Sequence, residues 1–160
     1  MKIIFFGYGY CAEFLTELIP KDWEKIGTHT NLPYDFEYKD FKNVTRYEFN
    51  EFIEQKNDLI KKSTHILISI PPTDMGDLVF LKMKDVIIKE KNLKWLGYLS
   101  TTGVYGDHNG DWVNESSKLM TKNLRSKNRI LSEKQFLSLY HNKNVPIHIF
   151  RLPGIYGPGR

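Results

Sequence analysis

The chain begins Met1-Lys2-Ile3-Ile4-Phe5-Phe6-Gly7-Tyr8-Gly9-Tyr10-Cys11-Ala12. Lys2 to Phe6 is a short run of the kind found in a strand covered on both faces. Gly7, Gly9 and Ala12 follow it at a G-x-G-x-x-A spacing, and Ala12 to Ile19 has a helical pattern stopped by Pro20. In such a turn the first small residue permits the tight bend. The second lets a ligand's pyrophosphate approach the backbone, and the third lets helix and strand pack closely. The free N–H groups at the start of the helix, with their partial positive charge, favour phosphate. A glycine pair alone is weak evidence, but here it stands between a strand and a helix, where a dinucleotide site requires it.

Downstream the same alternation continues. Strands are predicted over 24–28, 44–49, 65–70, 95–99 and 146–150. Helices are predicted over 51–62, 77–89 and 122–141. Phe52, Ile53, Leu59 and Ile60 are expected to face inward from the first of these, and Leu78, Leu81, Val86 and Ile88 from the second. Residues 31–43 and 100–118 read as loops, and 151–160, with two prolines and three glycines, as unable to continue a regular element. Strands alternating with helices imply βαβ units. The fold class is therefore α/β: a doubly wound parallel sheet (a Rossmann fold) of about six strands with helices on both faces. Ligands of such sheets bind beyond the carboxyl ends of the strands. That singles out Gly7, Tyr8, Gly9, Tyr10 and Ala12, then Thr28 and His29, Asn50, the turn Ser69-Ile70-Pro71, Ser100 and Pro153 as cofactor-binding candidates.

Composition narrows the class. With 160 residues and 41% hydrophobic content, the chain reads as one globular domain over 1–160. The net charge of +4 is spread over helix faces and interrupted by Asp85, Glu90, Glu115 and Glu133, the pattern of solvated surfaces rather than a nucleic-acid stripe. The histidines are scattered and Cys11 is the sole cysteine, so no metal site and no internal disulfide are expected. With no apolar run of membrane-spanning length and no signal peptide, the expectation is a cytoplasmic protein with no membrane partner. The carboxylate that holds an NAD ribose would stand about 20 residues after the glycines. Gly27-Thr28-His29-Thr30-Asn31 has none there, and Asp35 and Glu37 come later. NAD and NADP both remain open.

Several longer strings resemble the NAD-dependent epimerase/dehydratase branch of the extended and atypical short-chain dehydrogenase/reductases. They are Tyr98-Leu-Ser-Thr-Thr-Gly-Val-Tyr-Gly106, Gly110-Asp-Trp-Val-Asn-Glu115, Arg151-Leu-Pro-Gly-Ile-Tyr-Gly-Pro-Gly-Arg160 and Ser69-Ile-Pro-Pro72. The resemblance implies a bound NAD or NADP and hydride transfer to a sugar nucleotide or similar hydroxyl compound. It implies that Thr101 polarises the substrate oxygen. It places Arg125 where the family has its proton-moving Tyr, and Arg129 where it has the Lys that binds the nicotinamide ribose. A guanidinium stays protonated at neutral pH and cannot exchange a proton usefully. Arg129 can still serve a ribose. Tyr105 is a candidate substitute acid, with His108 nearby in the loop, while Tyr38-x-x-x-Lys42 lies on the wrong side of the fold and reads as chance. The resemblance also implies that a smaller region, which closes over substrate in the family, is missing from 1–160. Two readings follow: an oxidoreductase or isomerase, or a non-catalytic dinucleotide-binding module acting through a protein partner. A homodimer through the two long helices is allowed if Phe136 and Tyr140 are exposed.

Overall fold

The computed structural model describes residues 1–30, 43–55 and 57–160. Six parallel strands form one sheet: β1 (Lys2–Phe6), β2 (Glu24–His29), β3 (Val44–Glu48), β4 (His65–Ile68), β5 (Trp95–Thr101) and β6 (Ile147–Leu152). Their spatial order is β3-β2-β1-β4-β5-β6. Strand order reverses beside β1, and the glycine turn lies at that switch point.

Among the described residues four helices cover the sheet: α1 (Tyr10–Leu18), α2 (Phe49–Gln55), α3 (Leu78–Lys89) and α4 (Leu124–Lys143). Alternate residues of β1 divide between two cores. Ile3 and Phe5 pack with Ala12 and Leu67 on the α1 face. Ile4 and Phe6 join Phe52, Met83 and Phe136 on the face covered by α2, α3 and α4. Helices on both faces leave all five β1 residues buried, and the sequence reads as a continuous strand for that reason.

Some boundaries differ from expectation. β5 and β6 each run two residues further, because Ser100 and Thr101 pair with Arg151 and Leu152. Arg151 and Leu152 thus belong to a strand, not to the irregular tail. The helix expected over 51–62 is α2 followed by a short 3-10 turn, Asn57–Ile60. In α3 Leu78, Val86 and Ile88 pack against the core as expected, half-buried, but they flank the deepest stripe and Leu81 lies outside it. Val79, Met83 and Ile87 are buried at i, i+4 and i+8, while Leu81 is 40% exposed. The apolar residues of α3 fit more than one helical stripe, and the sheet beneath selects one of them. Phe136, expected on the surface for dimerisation, is fully buried against Phe80 and Tyr98. Tyr140 is exposed.

Candidate active site

Beyond the carboxyl ends of β1, β2, β4 and β5 lies a groove of three adjoining cavities. The first, about 350 Å³, is lined by Gly7, Tyr8, Gly9, Thr28, His29 and the turn 69–71. The second, about 290 Å³, continues past Gly9, Tyr10, Cys11, Ser100 and Arg129. The third, about 670 Å³, lies between Pro71, Thr101 and the start of α4.

The two glycines of the turn have different reasons for being glycine. Gly7 has φ +94°, and a Cβ there would stand 2.6 Å from Ser69 Oγ, so the fold itself demands it. Gly9 has φ −121°, open to any residue, and a Cβ there would meet nothing within 4 Å. Among the described residues packing does not require glycine at position 9, and none of their atoms stands over its backbone. The N-terminus of α1, with Gly9 as its cap residue, also has no side-chain cap, whereas Asp77 caps α3 and Asn123 caps α4. The first turn of α1 therefore keeps N–H groups for a ligand. Ala12 is buried where helix meets strand.

Several predicted ligands act inside the fold. Thr28 is fully buried; its Oγ1 accepts from Gly7 N at 3.3 Å and donates to Phe5 O. Ser69 Oγ donates to Gly7 O at 2.7 Å, tying the end of β4 to the turn. Ser100 Oγ donates to Glu133. Tyr8 lines the first cavity but turns its ring over Gly27, with Arg46 against it. Burial raises its pKa, opposed by the hydrogen bond to Thr16. His29 lines the cavity with a buried Nδ1 that has no partner among the described residues. Two candidates do not reach the groove. Asn50 bonds Glu48, and its neighbour Phe49 lines the first cavity instead. Pro153 is exposed, and Leu152 and Ile155 flank it in the second cavity.

Of the two catalytic candidates, the structure brings one into the groove. Thr101 lines the third cavity, and its Oγ1 accepts from Gly103 N at 3.1 Å, which leaves the hydroxyl proton to donate. Tyr105 lies on the other side of the loop, 7% exposed, with its hydroxyl accepting from Arg151 Nη1 at 3.0 Å. The sequence reading offers it as an acid, but it is not among the residues lining the groove: burial and the Arg151 bond hold this phenol in the packing of a separate cavity with Thr102. His108 sits edge-on to Tyr105 and bonds Lys118 O through Nε2, so it fastens the loop too. Asp35, Glu37 and Tyr38 to Lys42 fall outside the described residues.

Arg129 is a strap as well as a lining residue. Its Nη1 donates to Leu99 O at 2.8 Å, Tyr98 Oη at 3.1 Å and Ile70 O at 3.3 Å, pinning the ends of β4 and β5 together. Burial raises the Tyr98 pKa, with Arg129 opposing. Behind it stands Asp77, whose Oδ1 accepts from Val79 N and Phe80 N while its buried Oδ2 has no partner among the described residues. Desolvation pushes its carboxyl up to about 6, against those backbone bonds and the charge of Arg129. Sequence reading also missed the ion pair of Glu133, 2% exposed, with Arg151 at 2.7 Å. Hydrogen bonding to Glu133 raises the Arg151 pKa. The family-like arginine in Arg151-Leu152-Pro153 was its one available signal.

No protein-family model matches the chain, and no curated protein does. Solved structures do. A UDP-glucuronic acid 4-epimerase from Bacillus cereus, in complex with NAD, superposes with a TM-score of 0.81 at 18% identity, over 100% of this chain and 59% of its own. The chain shares the Rossmann-type fold of this epimerase. A dTDP-glucose 4,6-dehydratase from Bacillus anthracis, also in complex with NAD, gives 0.80 at 17%, over 99% and 56%. A conserved protein of unknown function from Silicibacter pomeroyi gives 0.86 at 37% identity, over 99% of this chain and 54% of that one. These neighbours with assigned activities are NAD-dependent epimerase/dehydratase members, the family that the sequence strings resemble. The chain spans 54 to 59% of the length of these three structures. Among the described residues no helix is long and apolar enough to cross a membrane.

Proposed function

We propose that this chain binds NAD or NADP along the groove, as the cofactor-binding part of a cytoplasmic protein of the epimerase/dehydratase type. The observation that carries the reading is Gly9: an unobstructed glycine where packing needs none, at the uncapped start of α1. The pyrophosphate would lie on Gly7, Gly9 and the first turn of α1, the adenosine side against Thr28 and His29, and the nicotinamide side toward Ser100, Thr101 and Arg129. A bound nicotinamide supplies or accepts a hydride. The Thr101 hydroxyl donates a hydrogen bond to a substrate oxygen and so polarises the carbon beside it. Arg129 holds the two strand ends between which the ring would fit.

Proton transfer is the step that this site supports least. Arg125 and Arg129 stay charged, and Tyr105 lines a separate cavity with its hydroxyl on Arg151. That favours a second reading, a binding module whose occupancy is read by a partner.

Titration with NADH and NADPH, followed by nucleotide fluorescence, tests the common core. One of them binds. Gly9→Val keeps the fold apart from about 1 kcal/mol for a poorer cap, and it weakens binding at least roughly tenfold, since the new side chain fills the cradle. Failure of both nucleotides at millimolar concentration, or full affinity in Gly9→Val, refutes the proposal.

A further inference from the structure

The third cavity has no role in holding a dinucleotide pyrophosphate, yet its lining is chemically one-sided. Arg125 and Arg129 stand one helical turn apart on α4 and line it together. Asn123, Ser126, Asn128 and Thr101 add amide and hydroxyl groups, and among the described residues no carboxylate lines it. Arg129 has its charge partly offset by Asp77 behind it. Arg125 is exposed and, among the described residues, has no ion-pair or hydrogen-bond partner. The cavity opens at the first turn of α4, whose leading N–H groups add positive potential. At about 670 Å³ it is the size of a small-molecule site, too large for a lone inorganic ion.

We propose that this cavity binds a small organic anion, a phosphate or carboxylate compound, with Arg125 as its principal ligand and Arg129, Thr101 and Asn128 around it. Where the family has a proton-transferring Tyr, this chain places a fixed cation. A guanidinium offers a planar fork of donors that matches either anionic group in a bidentate way. The site is thereby turned from moving a proton toward recognising negative charge. It lies beside Thr101, so an anion held there would sit next to the nicotinamide end of the groove. The inference stands without a bound dinucleotide, and its test is separate from that of the cofactor.

Calorimetric titration with glycerol 3-phosphate, malonate and uncharged glycerol tests it. One or both anions bind at millimolar concentration or better, glycerol does not, and binding weakens as salt rises. Preference between the two anions identifies the ligand as a phosphate or a carboxylate. Arg125→Met, an exposed change that leaves the melting temperature near that of the parent, lowers affinity roughly tenfold to hundredfold. Arg125→Lys keeps the charge but not the fork, and it falls between. The proposal is overturned if neither anion binds, if glycerol binds equally, or if Arg125→Met binds as the parent does. It is likewise overturned if anion binding persists in Arg125→Met and disappears in Gly9→Val, which would put the anion at the dinucleotide turn.

Discussion

Arg151→Met isolates the pair that joins β6 to α4. Glu133 is 2% exposed and the Arg151 side chain 16%, with two guanidinium nitrogens on the carboxylate at 2.7 to 3.3 Å. Replacing Arg by Met keeps most of the apolar stem but leaves a buried carboxylate bonded only to Ser100 among the described residues. Breaking one side of a buried pair costs about 3–5 kcal/mol. The guanidinium is not fully enclosed, so the lower end, about 3 kcal/mol, is expected. For a chain of this size that lowers the melting temperature by about 6–12 °C. A buried carboxyl deprived of its cation favours the protonated form. The folded variant then holds a proton that the unfolded chain releases, so the deficit grows as pH rises and shrinks toward the carboxylate range. Denaturant unfolding of parent and variant at about pH 7.5 and about pH 5 reads both effects. Glu133→Gln in the Arg151→Met background removes the stranded charge and recovers part of the loss. A deficit below about 1 kcal/mol, equal at both pH values, would refute the reasoning, because it would mean that water already screens the pair.

Two other changes probe the packing behind the site. Asp77→Asn retains the N-cap on α3 but removes a carboxyl that burial pushes from 3.8 to about 6. An acid with a raised folded value contributes favourably below about pH 4 and loses that contribution as pH climbs to about 6, a swing of at most about 3 kcal/mol. Thermal unfolding should therefore show Asp77→Asn ahead of the parent by about 1–2 kcal/mol near pH 8 and level with it near pH 4; equal stability at both would remove Asp77's penalty. On α3, Leu81→Lys should change stability by less than about 0.5 kcal/mol while Met83→Ala loses about 2–5. Chemical denaturation of both variants checks the stripe, and the opposite ranking would restore Leu81 to the inward face.

Local order was legible in the sequence. The apolar run of Lys2 to Phe6, the glycines after it and the alternation of strand and helix patterns are set by bonding within a few residues. They suffice for a doubly wound parallel sheet and for the place of its ligand groove. Thr101, which lines the third cavity, was also singled out, since a family-like string carries it. What the sequence could not assign is which side chains meet across elements. Tyr105 reads equally well as catalyst or as packing until Arg151, 46 residues away, is seen on its hydroxyl. Phe136 looks exposed or buried according to which stripe of α4 meets the sheet. Arg129 reads as a ribose ligand, and only the folded chain gives its Nη1 to the carbonyls of Ile70 and Leu99. Periodicity encodes that a face is apolar, but the neighbour it meets depends on the packing of distant segments. Gly7 and Gly9 show the division most sharply. Both are required by the motif, yet only the tertiary structure shows that Gly7 serves the fold, with Ser69 against it, while the space over Gly9 is left for something else.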